Sequence, residues 1–470
     1  MFPLLLLSVL LPFLFVIPLL VLPERHSFNV ALVSSIAVFF AVIGSAYVGL
    51  TSGFAPLSFS QTYIQTLGIT FSLALTQYSN IFAVMAAIVI LASALVARSF
   101  IKESQRIYGL LFLLVSGSVL GVFFAGSLFL FYIFFEISEI SMFFIIYIFG
   151  GYDRRYAAIK FLIYSLAASL LLLLGILVIY SGLPAHTFEI ASVISQAGTM
   201  PQSLQLLALV LLGTAFLIKI PVFPFHSWLP DAHTEAPTTG SMILAGILLK
   251  LGGYGLLLVF LMLPIASSYA LPLAVLFGIS ALYSALVAMR QAHLKRMIAY
   301  TSIVDMGIAS LGIASLTRVG IVGGIYAMLS HGIAISLLFL IVGTLDEVYG
   351  TMLVAKIKGV VKNFPSLAYG FVFGTFALVG IPLTSGFVGD LLVFIGAFSA
   401  YSAGGVVPLA AVLIIGALFF LVIERAFFSA SKAIEPFSSP GIDIKAAMVF
   451  LAISTITLGI APFLLLAPFA

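Results

Sequence analysis

The chain contains no cysteine and few charged residues. Its 470 residues include no cysteine at all, and Asp, Glu, Lys and Arg together make up 7% of them. The absence of cysteine excludes disulfides, thiolate metal sites and cysteine-ligated iron–sulfur clusters. The low charge excludes an ordinary soluble domain, in which about a quarter of the residues are charged. We therefore expect that much of the surface of the chain does not face water.

Motifs for binding metals, nucleotides or nucleic acids are also absent. The six histidines are scattered without a His-x3-His pair, and no glycine-rich phosphate loop occurs. Because such patterns supply metal ligands and phosphate cradles, we expect no metal, no cofactor and no ATP-driven chemistry in this chain. The net charge of +4 is explained by basic loops on one side of a membrane and does not imply a nucleic-acid partner.

Long apolar runs dominate the sequence. Hydrophobic residues make up 63% of the chain, and runs of about 20 residues, long enough to span a lipid bilayer as a helix, recur along its whole length. Backbone groups in lipid must bond within the protein, and these runs are too long for barrel strands. The first run, from Phe2 to Leu22, lacks a basic leading region and a cleavage site, so we expect a retained helix. The predicted fold is an all-α integral membrane protein with about fourteen transmembrane helices.

The distribution of basic residues tests the division of the chain into fourteen transmembrane helices. With the N-terminus outside, 16 of the 19 Lys and Arg residues fall in cytoplasmic loops or helix ends, including Lys295 and Lys432; only Arg318 falls outside, and Lys219 and Lys250 lie within helices. This bias follows the positive-inside rule, so we expect a multi-pass protein of the cell membrane with both termini outside. The predicted helices lie near residues 3–22, 28–50, 79–98, 108–126, 128–149, 157–181, 204–230, 239–262, 270–290, 296–316, 319–345, 366–402, 405–427 and 446–467.

Two predicted helices contain sequence breaks. Helix 7 contains residues 219–221 (Lys-Ile-Pro) with Pro224, and helix 12 contains residues 380–382 (Gly-Ile-Pro) with Gly386. Proline removes a helical hydrogen bond, and the groups it frees need partners at membrane depth. Either site alone is also compatible with an ordinary proline kink. The two lie five helices apart, an odd number, which predicts inverted repeats formed by helices 4 to 8 and 9 to 13.

The repeats predict four regions along the chain. Residues 1–105 hold helices 1 to 3, residues 106–265 the first repeat, residues 266–430 the second repeat, and residues 431–470 helix 14. Paired broken helices typically flank a transport path near the middle of the membrane.

Several ionisable residues are expected near the membrane core. Each charge there costs about 2.5–3.5 kcal/mol on insertion scales, so these groups must pair or be hydrated. A mixture of acids and bases along the chain suits a relay, because a proton that reaches one site changes the charge felt by its neighbour. The alternative is a set of structural ion pairs that fix helix contacts. The residues are Glu136, Lys219, Lys250, Asp305, His331 and Asp390.

The other histidines and a second glutamate leave alternatives open. His226 lies seven residues after Lys219, on the same face if the helix continues, and could carry protons or be a buried hydrogen bonder. His331 has the same two interpretations. Glu139 lies one turn after Glu136 and is either a second acid of the relay or a structural neighbour. His233 and His293 are expected to be solvated in cytoplasmic loops.

One long segment resembles a known signature. Residues 219–250, KIPVFPFHSWLPDAHTEAPTTGSMILAGILLK, are similar to the antiporter-like membrane subunits of respiratory complex I, most of all to the subunit M branch of NADH:quinone oxidoreductase. Shorter matches follow at residues 294–303, 330–332 and 380–390, and Glu136 matches the acid of helix 5. Multi-subunit cation/proton antiporters and membrane-bound hydrogenases contain similar chains.

The resemblance implies roles for individual residues. Glu136 and Lys219 would form a coupling ion pair, Lys250 would be the central relay lysine, His331 a relay member and Asp390 the exit to the outside. Two positions depart from the pattern. Asp305 stands where subunit M usually has histidine, and Asp390 where it usually has glutamate, so the order of charges in the relay differs from that of the family.

The resemblance also implies partners and leaves three functions open. The first is a proton-translocating subunit of a complex I-type oxidoreductase, beside other membrane-arm subunits and with flavin and iron–sulfur clusters in partner chains. The second is a subunit of a Na⁺/H⁺ antiporter or a membrane-bound hydrogenase, with Na⁺ as the alternative ion. The third is a purely structural spacer in a membrane arm.

Overall fold

The computed structural model describes residues 2–54, 57–64, 68–429 and 440–469, and the predicted cytoplasmic Lys432 lies outside them. The described chain folds into fourteen apolar helical spans, of which 13 are long and one, helix 12, is split into two shorter helices. The predicted helical membrane fold is confirmed. The spans are helix 1 Leu4–Val21, helix 2 Glu24–Ser52, helix 3 Gln77–Phe100, helix 4 Gln105–Phe124, helix 5 Leu128–Phe149, helix 6 Arg154–Gly182, helix 7a Gln202–Lys219 with helix 7b Trp228–Glu235, helix 8 Thr238–Met262, helix 9 Pro264–Ala288, helix 10 Leu294–Ala314, helix 11 Arg318–Tyr349, helix 12a Pro365–Leu378 with helix 12b Ser385–Tyr401, helix 13 Val406–Phe427 and helix 14 Ile442–Ile460.

Polar residues at the ends of the apolar runs determine where helices begin and stop. Thr76 accepts a hydrogen bond from the backbone N–H of Ser79 and caps helix 3, and Thr317 caps helix 11 in the same way through Gly320. Such side chains satisfy backbone donors that a helix start leaves free. Helix 11 ends at Gly350, whose φ of +61° suits glycine.

The bundle has a deeply buried centre. The most apolar window of helix 11 is 100% buried, and those of helices 8 and 10 are 94% buried, whereas those of helices 1 and 14 are only 28% and 33% buried. The central helices carry Lys250, Asp305 and His331. Lys250 and His331 therefore lie where protein surrounds them.

Both predicted breaks are real interruptions of the helix. Residues 220–227 separate helix 7a from helix 7b, and residues 379–384 separate helix 12a from helix 12b. Local hydrogen bonds satisfy part of the freed backbone, as from Val222 N to Leu217 O at 3.0 Å and from Ile381 N to Phe376 O at 3.0 Å. The proline-kink alternative is wrong at both sites, because the chain leaves the helix entirely.

A β-hairpin adds a small extramembrane element to the helical fold. Strands β1 Leu57–Ile64 and β2 Ile69–Leu75 pair antiparallel between helices 2 and 3. The carboxylate of Glu189 anchors the hairpin by accepting hydrogen bonds from Thr70 and, at 3.0 Å, from Ser72. The all-α expectation missed this hairpin, although the alternation of apolar and polar residues at 69–73 is typical of a strand.

The loops fall into two groups, one at each end of the bundle, and loops of the same group contact each other. The hairpin after helix 2 contacts the turn after helix 4, through Gly126 N to Ser72 O at 2.7 Å, and the loop after helix 6. At the other end, the loop after helix 5 contacts that after helix 7, through Gly151 N to Glu235 O at 2.8 Å. This alternation agrees with the helix count. The two inverted repeats, their boundaries and the side on which the termini lie remain predictions.

The absence of native cysteine makes the predicted sidedness directly testable. Tyr63 in the hairpin is 79% exposed and Tyr152 in the loop after helix 5 is 100% exposed, so each tolerates replacement and is open to reagent. We expect a membrane-impermeant maleimide to label Tyr63→Cys in intact cells and Tyr152→Cys only after permeabilisation. The cysteine-free parent is the control, and the reverse pattern would place both termini in the cytoplasm.

Candidate functional site

Lys219 is enclosed at the break of helix 7. It is the last residue of helix 7a, its side chain is 1% exposed, and its Nζ forms an ion pair with Glu139. Three aromatic rings surround the ammonium group, with centroids 5.5 Å (Phe135), 5.1 Å (Phe161) and 5.4 Å (Trp228) from Nζ. Ring faces attract cations, so one carboxylate and three rings together balance a charge that has no access to water.

The acid that binds Lys219 differs from the predicted one. Glu139 receives the ammonium and also accepts a hydrogen bond from Ser165 Oγ at 2.7 Å. Glu136 is half-buried and makes no ion pair with Lys219, which binds Glu139 instead. Three residues of helix turn a side chain by about 300°, so the two acids point about 60° apart, and only Glu139 faces the break. The predicted Glu136–Lys219 pair is thus corrected to Glu139–Lys219 in this structure.

Lys250 is fully buried in helix 8 without a carboxylate partner. Its Nζ donates to the carbonyl of Ala245 at 2.5 Å and lies 2.6 Å from Nδ1 of His331. The carbonyl is available because residues Leu244–Leu248 form a π-helical turn, which disrupts the regular helical hydrogen bonds. The predicted central lysine and the predicted relay histidine are therefore direct neighbours.

His331 connects this lysine to two acids. Its Nε2 lies 3.8 Å from Oδ2 of Asp305, beyond hydrogen-bond reach. Asp305, His331 and Asp390 line one small polar cavity together with Ser330. The cavity has room for about one water molecule. Four of the predicted residues, from Lys250 to Asp390, thus form one polar group, in which a cavity separates His331 from the two acids.

The break in helix 12 holds Asp390 in place. Gly380 has a φ of +75°, a conformation that side chains rarely adopt, and a Cβ added there would lie 2.7 Å from Oδ2 of Asp390. The carboxylate therefore packs directly against the interrupted backbone, where glycine is required both for conformation and for space.

The two polar groups approach each other through helix 8. A Cβ added to Gly252 would lie 2.9 Å from the backbone N of Ile220, so helix 8 touches the break of helix 7 two residues after Lys250. Among the described residues, no hydrogen bond joins Lys219 to Lys250.

His233 is a functional candidate that the sequence reasoning missed. It lies in helix 7b, is 0% exposed rather than solvated, and stacks on Phe339 with ring centroids 4.6 Å apart. Neither of its ring nitrogens has a hydrogen-bond partner among the described residues. The nearby Lys295 donates from Nζ to Ala236 O at 2.5 Å. The sequence contained a signal for this burial. When a helix is broken inside the membrane and a second helix follows, the polar residues of that second helix lie within the protein.

His226 is not brought to Lys219. It lies in the non-helical segment after Lys219, buried in an aromatic cluster, with its ring centroid 5.3 Å from that of Tyr283. The expected shared face assumed a continuous helix, and the break removes that premise. His293, also expected in a loop, is the N-cap of helix 10 and accepts from Arg296 N at 3.4 Å.

Sequence comparison places this arrangement in a known family. A sequence profile described as "NADH:quinone oxidoreductase/Mrp antiporter, TM" matches residues 125–415. These include every member of what we call the polar row: Glu136, Glu139, Lys219, Lys250, Asp305, His331 and Asp390. The chain belongs to this family. The resemblance predicted from residues 219–250 is therefore confirmed.

Relatives of this antiporter family match over most of the chain. NADH-quinone oxidoreductase subunit M of Rickettsia prowazekii is 39% identical over 412 residues, covering 86% of this chain and 82% of the relative. The F(420)H(2) dehydrogenase subunit M of Methanosarcina mazei is 37% identical over 401 residues, covering 82% and 79%. A chain of respiratory complex I from Thermus thermophilus with bound NADH superimposes with a TM-score of 0.90 at 27% identity, covering 99% and 97%.

Replacing Gly380 tests the constraint at helix 12. We expect Gly380→Ala to lower the free energy of unfolding by about 1–2 kcal/mol for the left-handed backbone alone, with a further loss from the contact with Asp390. Gly213→Ala is the matched control, because nothing lies within 4 Å of a Cβ added there and helical Ala is favoured. Thermal unfolding of the detergent-solubilised protein measures both. Equal stability of the two variants would contradict the assigned role of Gly380.

Proposed function

We propose that this chain is a proton-translocating, antiporter-like membrane subunit of a complex I-type oxidoreductase. The observation that carries the proposal is the buried contact of Lys250 Nζ with His331 Nδ1 at 2.6 Å, which continues to the cavity of Asp305 and Asp390. A row of groups that exchange protons, closed off from lipid, is a pathway through the membrane. The match to subunit M relatives over most of the chain supports the same conclusion.

The relay operates through charge. Lys219 leaves its carboxylate partner when a neighbouring subunit disturbs it, and the uncompensated ammonium lowers the proton affinity of Lys250. Lys250 passes its proton to the His331 imidazole in contact with it, and the proton leaves past Asp305 and Asp390. Export against 100 mV requires about 2.3 kcal/mol, and two unit charges 4 Å apart interact by about 4 kcal/mol at an effective dielectric of 20, so one rearranged pair suffices.

The departure at Asp305 changes the end of the pathway. An acid there accepts a proton to become neutral, whereas a histidine would become positive. A neutral Asp305 beside Asp390 removes repulsion between two carboxylates that share one cavity. His233, buried and near Lys250 and Lys295, is a candidate for the segment between the cytoplasmic end and Lys250. His226 carries no proton in this proposal and only packs at the break of helix 7.

The partners follow from the family. We infer that the chain assembles with other membrane-arm subunits, that flavin and iron–sulfur clusters lie in partner chains, and that both termini face outside the cytoplasmic membrane. The relatives are named for NADH and for F(420)H(2), which supports a redox-driven complex and leaves the electron donor open. The four-region division at residues 105, 265 and 430 remains part of this proposal.

The second candidate is a subunit of a cation/proton antiporter, since the family description covers both classes. Native purification distinguishes them. We expect flavin- and iron–sulfur-containing chains to co-purify with this chain from detergent-solubilised membranes. A complex composed only of small membrane subunits would instead support the antiporter, and nickel–iron chains would support the hydrogenase.

Lys250→Met tests the relay and the structural-spacer alternative together. Removing the ammonium breaks the row at its centre, so proton pumping by the reconstituted complex should fall to about a tenth or less, the loss expected when a proton-transfer group is removed. Lys160→Met is the matched control, because the Asp231 carboxylate that binds Lys160 at 2.7 Å is also held by Arg296 at 2.6 Å. Native gels confirm assembly. Full pumping by an assembled Lys250→Met complex would support the spacer.

A further inference from the structure

Glu139 is an acid to which the family resemblance assigns no role, yet it is the one that binds Lys219. The ammonium of Lys219 and the hydroxyl of Ser165 bind the same carboxylate oxygen, Oε2. The Glu139 side chain is only 3% exposed, and its other oxygen has no hydrogen-bond partner among the described residues. Since removing one member of a buried pair is costly, Glu139 is what allows Lys219 to remain charged.

Helix 5 carries two acids one turn apart, beside two serines of helix 6. Ser165 donates to Glu139, whereas Ser169, one turn along helix 6, donates to the carbonyl of Leu166 in its own helix at 3.2 Å. We call Glu139 with Ser165 the inner rung and Glu136 the outer rung. The spacing of three residues on helix 5 separates the rungs by about 4.5 Å along the helix axis.

The two rungs differ in burial and in charge balance. The inner rung is buried and holds the ammonium. The outer rung lies at the edge of the bundle, since Glu136 is half-buried between Ile133 and Ile140 on a helix face where these are 36% and 46% exposed. No basic side chain forms a salt bridge with Glu136 among the described residues, and its Oε1 lacks a partner. The outer rung is therefore a carboxylate in need of a cation.

Lys219 is able to reach either rung. Its side chain is a flexible four-carbon stem with a compact charge, and its backbone adjoins the non-helical segment 220–227. The rings of Phe135, Phe161 and Trp228 stay around the ammonium, so a shift of about 4.5 Å between the rungs does not expose it to lipid alone.

We propose that Glu139 is the resting partner of Lys219, and that the ammonium moves between the inner and the outer rung during turnover. The proposal rests on the proposed function, because it names what happens to the coupling pair when a neighbour acts on it. When a neighbouring subunit disturbs the inner rung, Lys219 moves outward to the carboxylate of Glu136, which forms no salt bridge among the described residues at rest. Glu139 thereby acts as a positioning residue for the lysine.

Carboxyl labelling in the native complex tests the resting pair. A hydrophobic carbodiimide reacts with protonated carboxyl groups, and a carboxyl group at membrane depth that binds no cation favours its protonated form. At rest we expect peptide mapping to find label on Glu136 and about a tenth as much or less on Glu139, because a buried ion pair keeps the carboxylate ionised. During turnover with a short-chain quinone and whichever of NADH and F(420)H(2) the native complex oxidises, labelling of Glu139 should rise about fivefold or more as Lys219 leaves it. Lys219→Met should make Glu139 reactive at rest.

Variants separate positioning from mere structural support. Glu139→Gln leaves Lys219 only the outer rung, so pumping per electron donor oxidised should fall about fivefold or more, and Glu139→Asp, which keeps the charge, should restore at least about half. Ser165→Ala weakens only the inner rung and should lower the labelling of Glu136, which then holds Lys219 more often. Ser169→Ala is the matched control and should not lower it.

The outcomes are distinguishable. Equal labelling of both acids at rest overturns the resting pair, and a Glu139 that stays protected during turnover overturns the movement. If Glu139→Gln fails to assemble, Ser165→Ala and Glu139→Asp decide. A native complex that pumps no protons but shows the resting pattern, and loses it in Lys219→Met, overturns the proposed function while supporting the resting pair.

Discussion

The ammonium group of Lys219 ends a helix inside the membrane, and the surrounding structure follows from the need to balance its charge. An unpaired charge at that depth is too costly to persist. The chain meets this need with the Glu139 carboxylate and three ring faces. The interruption after Lys219 gives the side chain its position, and Gly252 lets helix 8 pack against the exposed backbone without a clash.

At other positions of the polar row, irregular backbone likewise contacts a charged side chain. The π-helical turn of helix 8 presents a carbonyl to Lys250, and the break of helix 12 presents the small Gly380 to Asp390. The hydroxyls of Ser330 and Ser385, 2.8 Å apart, join helix 11 to the start of helix 12b. The irregular backbone of the π-helical turn is fully buried and so faces protein, as membrane depth requires.

The sequence alone predicts the parts of this arrangement that depend on composition and on the residues that break helices. Apolar runs gave the helices, prolines after Lys219 and Gly380 marked the breaks, and buried charge identified most of the row. The choice between Glu136 and Glu139 could not be predicted, because it depends on how helix 5 is rotated about its axis. The positions of His226 and His233 depend on the path of the chain after the break, which removes helical periodicity as a guide.

The hydrogen bond from Lys250 to its own helix has a consequence for biogenesis. Helix 8 enters the membrane during synthesis before helix 11, so His331 does not yet exist when Lys250 must be accommodated. The carbonyl of Ala245, five residues earlier in the same helix, is available from the start. The π-helical turn thus gives Lys250 a hydrogen-bond acceptor before its partner His331, 81 residues later in the chain, has been translated.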